Sequence, residues 1–196
     1  MTSRPSSSQV RRESMAPLDS TTANGAKLSW FRAVFDAEFE YVWWSLRRLG
    51  VLERDAEDVA QAVFVEVFRG HDRYDQARPI RPWLFAFAFR FASDYRRLAR
   101  HRVELLDEHP DPPSYAPLAE DALVAQEARA LVARALESID LTRRAVFILH
   151  ELDEVPMADV AASLGIPTNT AYSRLRIARK EFTTAVRRLA RRGGER

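Results

Sequence analysis

Apolar residues along this chain recur at helical spacing. Val59, Val63 and Val67, flanked by Ala60, Phe64 and Phe68, form one broad buried face. Asp55-Ala-Glu-Asp58 supplies a capping aspartate and first-turn acids for that helix, and Gly70 stops it. A loop over His71–Pro82 leads to Trp83-Leu-Phe-Ala-Phe-Ala-Phe-Arg-Phe91, which runs on into Asp94-Tyr-Arg-Arg97. Phe85, Phe87, Phe89 and Phe91 alternate as a strand would. The stretch from Ala92 to Arg102 carries no turn signal, so a helix with aromatics around most of its circumference is the better reading. Further on, Ala145, Ile148, Leu149 and Leu152 mark a one-sided helix that Asp153-Glu154-Val155-Pro156 ends. Pro156 suits the first turn of the next helix, whose inward residues are Val160, Ala161 and Leu164. Gly165 stands at the place of a left-handed C-cap and Ile166 plugs the turn. Pro167 or Thr168 then opens a long helix to about Leu189.

On that last helix Ala171, Leu175, Ala178, Phe182, Ala185 and Leu189 fall within about 40° of one line. Asn169, Ser173, Arg176 and Lys180 lie opposite, with Tyr172 and Arg179 on one flank and Arg174 on the other. The pattern predicts an all-α protein of two small helical domains. The second is a helix-turn-helix whose outer face carries amide, hydroxyl and guanidinium groups, as a major-groove reader does.

Charge sharpens the division. The 196 residues carry 30 basic and 28 acidic side chains, a net +2 that hides segregation. Asp36–Phe68 is acidic, Arg90–Arg102 is basic, Glu104–Glu127 has no Lys or Arg, and Arg174–Arg196 is strongly basic. Pro110, Pro112, Pro113 and Pro117 fall in the acidic stretch, where missing donors and like charges favour extended chain. The expected layout is a disordered tail (1–27), a helical domain (28–103), an acidic linker (104–124), a second helical domain (125–192) and a short tail (193–196). An aromatic helix beside a basic run suits the stacking of unpaired bases.

Composition narrows the chemistry. The chain has no cysteine, which removes thiolate metal sites and thiol nucleophiles, and only six glycines, which disfavours a glycine-cradled nucleotide. The four histidines are scattered, and His150-Glu151 with Asp153 lacks helical ligand spacing. No enzyme activity, cofactor, metal or small-molecule substrate is expected. No apolar run is long enough to span a membrane, and Met1–Lys27 lacks the apolar core of a secretory signal. A one-component regulator, with the aromatic domain as ligand sensor, remains an alternative that predicts a dimer and palindromic sites.

The two domains in this order resemble an extracytoplasmic-function (ECF) sigma factor of bacterial RNA polymerase, in the sigma-70 family. In the first domain the likeness rests on Asp55-x-Glu-Asp-x-x-Gln61-x-x-Phe64, Tyr74-Asp75, Trp83-Leu-Phe and Asp94-x-x-Arg97. In the second it rests on Ile139-x-x-x-x-Arg144-x-x-Phe147, Asp159-Val-Ala161-x-x-Leu-Gly165 and Thr170-x-x-Ser-Arg-Leu-x-x-Ala-Arg179. The resemblance implies a cytoplasmic, nucleoid-associated promoter-recognition subunit. Asp55, Glu57, Asp58, Gln61, Phe64 and Glu66 would dock on the clamp helices of core polymerase. Tyr74, Ile80, Trp83, Phe87, Arg90, Asp94, Arg96 and Arg97 would open the −10 element. Thr168, Asn169, Thr170, Tyr172, Ser173, Arg174, Arg176, Arg179 and Lys180 would read the −35 element. It also implies duplex and melted promoter DNA as partners, and an anti-sigma factor that occludes both domains. Arg90 stands where the family usually has Asn, and Pro156 and Pro167 replace usual helix caps.

Overall fold

The computed structural model describes residues 18–106 and 130–193, and all the regular structure among them is helical. The expected linker (104–124) and the chain termini lie largely outside these residues.

Three long helices build the first domain: α1 (Leu18–Leu49), α2 (Glu53–Arg69) and α3 (Ile80–Leu106). Val42, Leu46 and Leu49 of α1 meet Val63, Phe64 and Val67 of α2 and Leu84, Phe85 and Ala88 of α3 in one dry core. Alanines at 56, 60, 88 and 92 let the helices approach closely. Phe64 is its pivot, with ring centroids of Phe35, Phe39 and Phe31 at 4.9, 5.9 and 6.3 Å. The turn after α1 needs Gly50: its φ is +96°, and a β-carbon there would lie 2.6 Å from Arg96 Nη1 and 3.1 Å from Arg144 Nη1.

Several expectations are corrected here. α1 begins at Leu18, ten residues inside the stretch expected to be a tail. Tertiary contacts hold its start, since Lys27 Nζ sits 5.0 Å from the Phe68 ring centroid and 3.6 Å from Asp72 Oδ2. Asp55 does not cap α2, because the helix starts at Glu53 behind Leu52, and the Asp55 carboxylate instead accepts from Tyr95 Oη at 2.6 Å. That bond ties α2 to α3 and, with burial as the larger cause, pushes the Tyr95 hydroxyl up to about 12. The loop from His71 contains a short 3₁₀ turn (His71–Arg73), and α3 starts at Ile80, so Pro82 lies in its first turn. The helix preferred over a strand for residues 85–91 is present and continues to Leu106.

The second domain comprises the helix 130–137 (α4), α5 (Leu141–Phe147), α6 (Met157–Leu164) and α7 (Thr168–Gly193). Asp140 caps α5, accepting from Thr142 N at 3.0 Å and from Thr142 Oγ1 at 2.6 Å. Those bonds hold its carboxyl below the usual range, the hydroxyl contributing most. Asp140→Ala is expected to cost about 1 kcal/mol at neutral pH. A lowered folded pKa gives stability that is complete above the unfolded value and lost as pH falls through the folded one. The gap between wild type and variant in urea melts should therefore close in acid.

α5 passes into a π-helical turn, Ile148–Leu152, closed by Asp153 N donating to Ile148 O at 3.0 Å. The wider turn rotates Leu152 off the apolar face. It is 37% exposed, although the 3.6-residue period had placed it inward. Pro156 is the N-cap of α6 rather than a residue of its first turn. Gly165 is left-handed (φ 62°, ψ 36°), with Ile166 packed beneath, as the turn pattern required.

The two domains touch. Tyr41 Oη donates to Asp153 Oδ2 at 2.8 Å, and Arg48 Nη1 donates to Asp153 Oδ1 at 3.1 Å. Burial raises the Tyr41 hydroxyl far above its ordinary value, with the Asp153 charge adding to the shift.

Candidate nucleic-acid interface

Two surfaces carry the chemistry expected of a nucleic-acid binder. The first is the outer side of α7. Its inner stripe is buried as the spacing required: Ala171, Leu175, Ala178 and Ala185 are at most 3% exposed, and Phe182 packs on Phe147 at 4.8 Å. That fixes the rotation of the helix, so Thr168, Asn169, Tyr172, Ser173, Arg176, Arg179 and Lys180 are exposed, while Thr170 and Arg174 are half-buried on the flank. The structure thus gathers all nine expected residues on one helix. Asn169, Thr170, Ser173 and Arg174 line a groove of about 320 Å³ with Ile177, Thr142 and Arg143. Sequence reasoning assigned nothing to the last two, because only the fold brings the start of α5 beside α7. Arg143 is tied to Glu181 by bonds of 2.8 and 3.0 Å, and Arg179 to Glu151 by bonds of 2.6 and 3.1 Å. Acidic side chains thus hold two of the cations that a phosphate would otherwise recruit.

The second surface is a stripe on α3. Ile80, Trp83, Phe87, Arg90, Asp94 and Arg97 follow one another at three or four residues and share one side of the helix. Trp83 and Phe87 are in edge contact at 4.9 Å, and the Arg90 guanidinium lies 5.1 Å from the Phe87 centroid and 5.7 Å from that of Phe91. Tyr74 joins from the preceding loop, 4.9 Å from Trp83, its hydroxyl donating to Arg78 O at 2.7 Å. Partial burial, with the Asp75 charge, pushes that hydroxyl up from its ordinary value. Gly70 packs beneath, where a β-carbon would lie 3.3 Å from Phe87 Cζ. Asp94 and Arg97 pair at 3.1 Å.

Arg96 is corrected. It sits about 100° round the helix from this stripe, half-buried, and donates to Leu49 O at 3.3 Å, which makes it a cap on the C-terminus of α1. Its own spacing from Phe87 and Arg90 already contained that signal. Among the expected docking residues of α2, Glu57, Asp58 and Gln61 are exposed, and Glu66 bonds Arg69 at 2.7 Å. Phe64 is corrected too: at 1% exposure it is core and offers no face to a partner.

Among the described residues no cluster of three or more His, Asp or Glu could hold a metal ion, and no helix is long and apolar enough to cross a membrane.

The comparisons with known proteins place the chain in a family. A family model described as Sigma-70 region 2 matches residues 35–102, and one described as Sigma-70, region 4 matches residues 129–182. The ECF RNA polymerase sigma factor SigL of Mycobacterium tuberculosis is 33% identical over 159 residues, covering 80% of this chain and 88% of that protein. The ECF RNA polymerase sigma-E factor of Escherichia coli K12 is 27% identical over 147 residues, covering 70% and 77%. Two solved structures share the fold: CnrH in complex with the cytosolic domain of CnrY (TM-score 0.59, 23% identity, 84% and 92% covered), and the sigma factor RpoE of Bartonella quintana with the anti-sigma factor NepR (TM-score 0.61, 18%, 80% and 96%).

Proposed function

Given that this chain belongs to the sigma-70 family, as one of its ECF sigma factors, we propose a division of its promoter recognition between the two surfaces described above. The observation that supports it best is their order and chemistry: an aromatic and cationic helix in the segment matching region 2, and a polar, cationic recognition helix in the segment matching region 4. Sigma factors are initiation factors rather than enzymes, and the reading needs no bond-making chemistry here. α7 enters the major groove of the −35 element. Arg176 and Asn169 meet base edges, and Ser173, Thr170 and Lys180 grip phosphate. Trp83, Phe87, Tyr74 and Arg90 capture unstacked bases of the −10 element, where stacking and phosphate contacts offset the few kcal/mol of unpairing. The exposed Glu57, Asp58 and Gln61 of α2 face the clamp of core polymerase. The protein works in the cytoplasm at the nucleoid, and an anti-sigma factor restrains it, a reading supported by the complex of RpoE with the anti-sigma factor NepR. A one-component regulator is not favoured, because it leaves the region 2 match unexplained.

Reconstitution with core polymerase, followed by run-off sequencing on genomic fragments, tests the whole reading. Initiation at a defined promoter set is expected, and the absence of any promoter-specific transcript would refute it. Within that assay Arg176→Ala is expected to cost about 1–3 kcal/mol in promoter affinity and relax one −35 position. Lys180→Ala should instead weaken all promoters alike and flatten the salt dependence. Identical promoter profiles for the two variants would contradict the division of roles.

A further inference from the structure

Trp30, near the start of α1, has no role in the reading so far, yet its indole sits in the candidate base-capture site. Its ring centroid lies 6.0 Å from Tyr74 and 6.5 Å from Trp83, which are themselves 4.9 Å apart. The three rings form a triangle, with interplanar angles of 37° between Trp30 and Tyr74 and 38° between Tyr74 and Trp83. Trp30 comes from a helix 44 residues before Tyr74 in the chain, so no local motif links them. Its place is held from two sides. His71 meets it edge-on at 4.4 Å, with Nδ1 of the imidazole 3.1 Å from Asp72 Oδ1. One turn earlier on α1, Lys27 is 3.6 Å from the same Asp72 and 5.0 Å from the Phe68 ring centroid. The 3₁₀ turn and the start of α1 therefore fix each other.

Trp30 remains half-buried, in contact with the two rings best placed to receive a base. We propose that Trp30 is a third base-stacking wall of the −10 site: an unpaired base of the melted promoter strand stacks in the cup of Trp30, Tyr74 and Trp83. This rests on the base-capture reading above and adds to it a residue outside the α3 stripe and its loop. A purine, with the larger π-face, gains most from a third wall. Removing one stacking ring is expected to weaken capture roughly ten- to a hundredfold.

The test uses holoenzyme reconstituted with core polymerase on a run-off promoter, with 2-aminopurine placed at one −10 position at a time. In wild type one position should stay quenched on strand opening while its neighbours brighten. Trp30→Leu fills much of the volume without a π-face, and Trp30→Phe keeps a ring. The Leu variant should brighten that position severalfold and shorten the open-complex lifetime about tenfold or more. The Phe variant should stay within about threefold of wild type. Thermal melts of both variants check the fold. If Trp30→Leu keeps the wild-type pattern and a lifetime within twofold while Trp83→Leu changes both, Trp30 is structural only and the inference fails alone. If wild type shows no brightened or selectively quenched position, base capture itself fails and takes the inference with it.

Discussion

An Arg144→Ala protein is expected to lose about 3 kcal/mol of stability, a large share of the roughly 5–15 kcal/mol that holds a native protein together. Among the described residues Arg144 is the largest fully buried side chain. Its guanidinium donates to Glu137 O at 2.8 Å, in the last residue of α4, and to Ile139 O at 3.0 and 3.3 Å, between α4 and α5. The Ile139 carbonyl is buried, and orphaning such an acceptor costs about 1–3 kcal/mol, whereas the Glu137 carbonyl is only partly buried. The emptied volume adds to the loss. Two effects oppose it. Arg144 Nη1 has no hydrogen-bond partner, and burial, followed by the nearby Arg96 charge, pulls the guanidinium down to about 10. Truncation relieves both, which is why the expected loss stops near 3 kcal/mol rather than 5. Arg144→Met separates the contributions, since it keeps volume and removes the donors. Urea melts followed by circular dichroism should rank wild type above Met and Met above Ala. A loss under 1 kcal/mol for Ala would show that the carbonyls find other donors.

How far the sequence could be read depends on how far each contact reaches. The rotation of α7 was legible because six apolar residues share one stripe, and Gly165 was legible because a helix stop followed by a helix start needs a left-handed residue. The α3 stripe was legible for the same reason, but residue type outweighed angle in the case of Arg96. A basic residue beside DNA-binding neighbours looked like a phosphate contact, whereas its position about 100° round the helix pointed it at the end of α1. Phe64 carried two incompatible signals, a core period and a place in a docking motif, and packing decided for the core. The π turn was out of reach: nothing in Ile148–Leu152 announces an i→i+5 bond, and the exposed Leu152 is its consequence. The helical start of α1 was hidden because its polar stretch has no period of its own. It is ordered from outside, by the turn around His71 and Asp72. Trp30 was missed on the same account.

Asp153 tests the contact least legible in the sequence, since it joins residues 112 and 105 positions apart. Asp153→Ala is expected to cost about 2–3 kcal/mol, because the buried Tyr41 hydroxyl loses its acceptor. Arg48, whose side chain is 37% exposed, adds little by turning to solvent. Asp153→Asn should behave differently. Burial pushes the Asp153 carboxyl above its ordinary range, and the bonds from Tyr41 and Arg48 only partly oppose this. A raised folded pKa means that the folded state holds the proton more tightly. The stabilisation it gives is complete below the unfolded pKa and fades as pH rises through the folded one, opposite in sign to Asp140. Asparagine fixes the neutral form and still offers an oxygen to Tyr41. The Asn variant should therefore equal or exceed wild type at pH 7 and lose that margin toward pH 4, while the Ala variant stays below both throughout. Urea melts at a series of pH values read the stability, and amide exchange at Asp153 and Val155, which donate to Ile148 O and Leu149 O, locates it. Equal losses for Ala and Asn at pH 7 would mean that the ionic pairing with Arg48, rather than the bond from Tyr41, holds the two domains together.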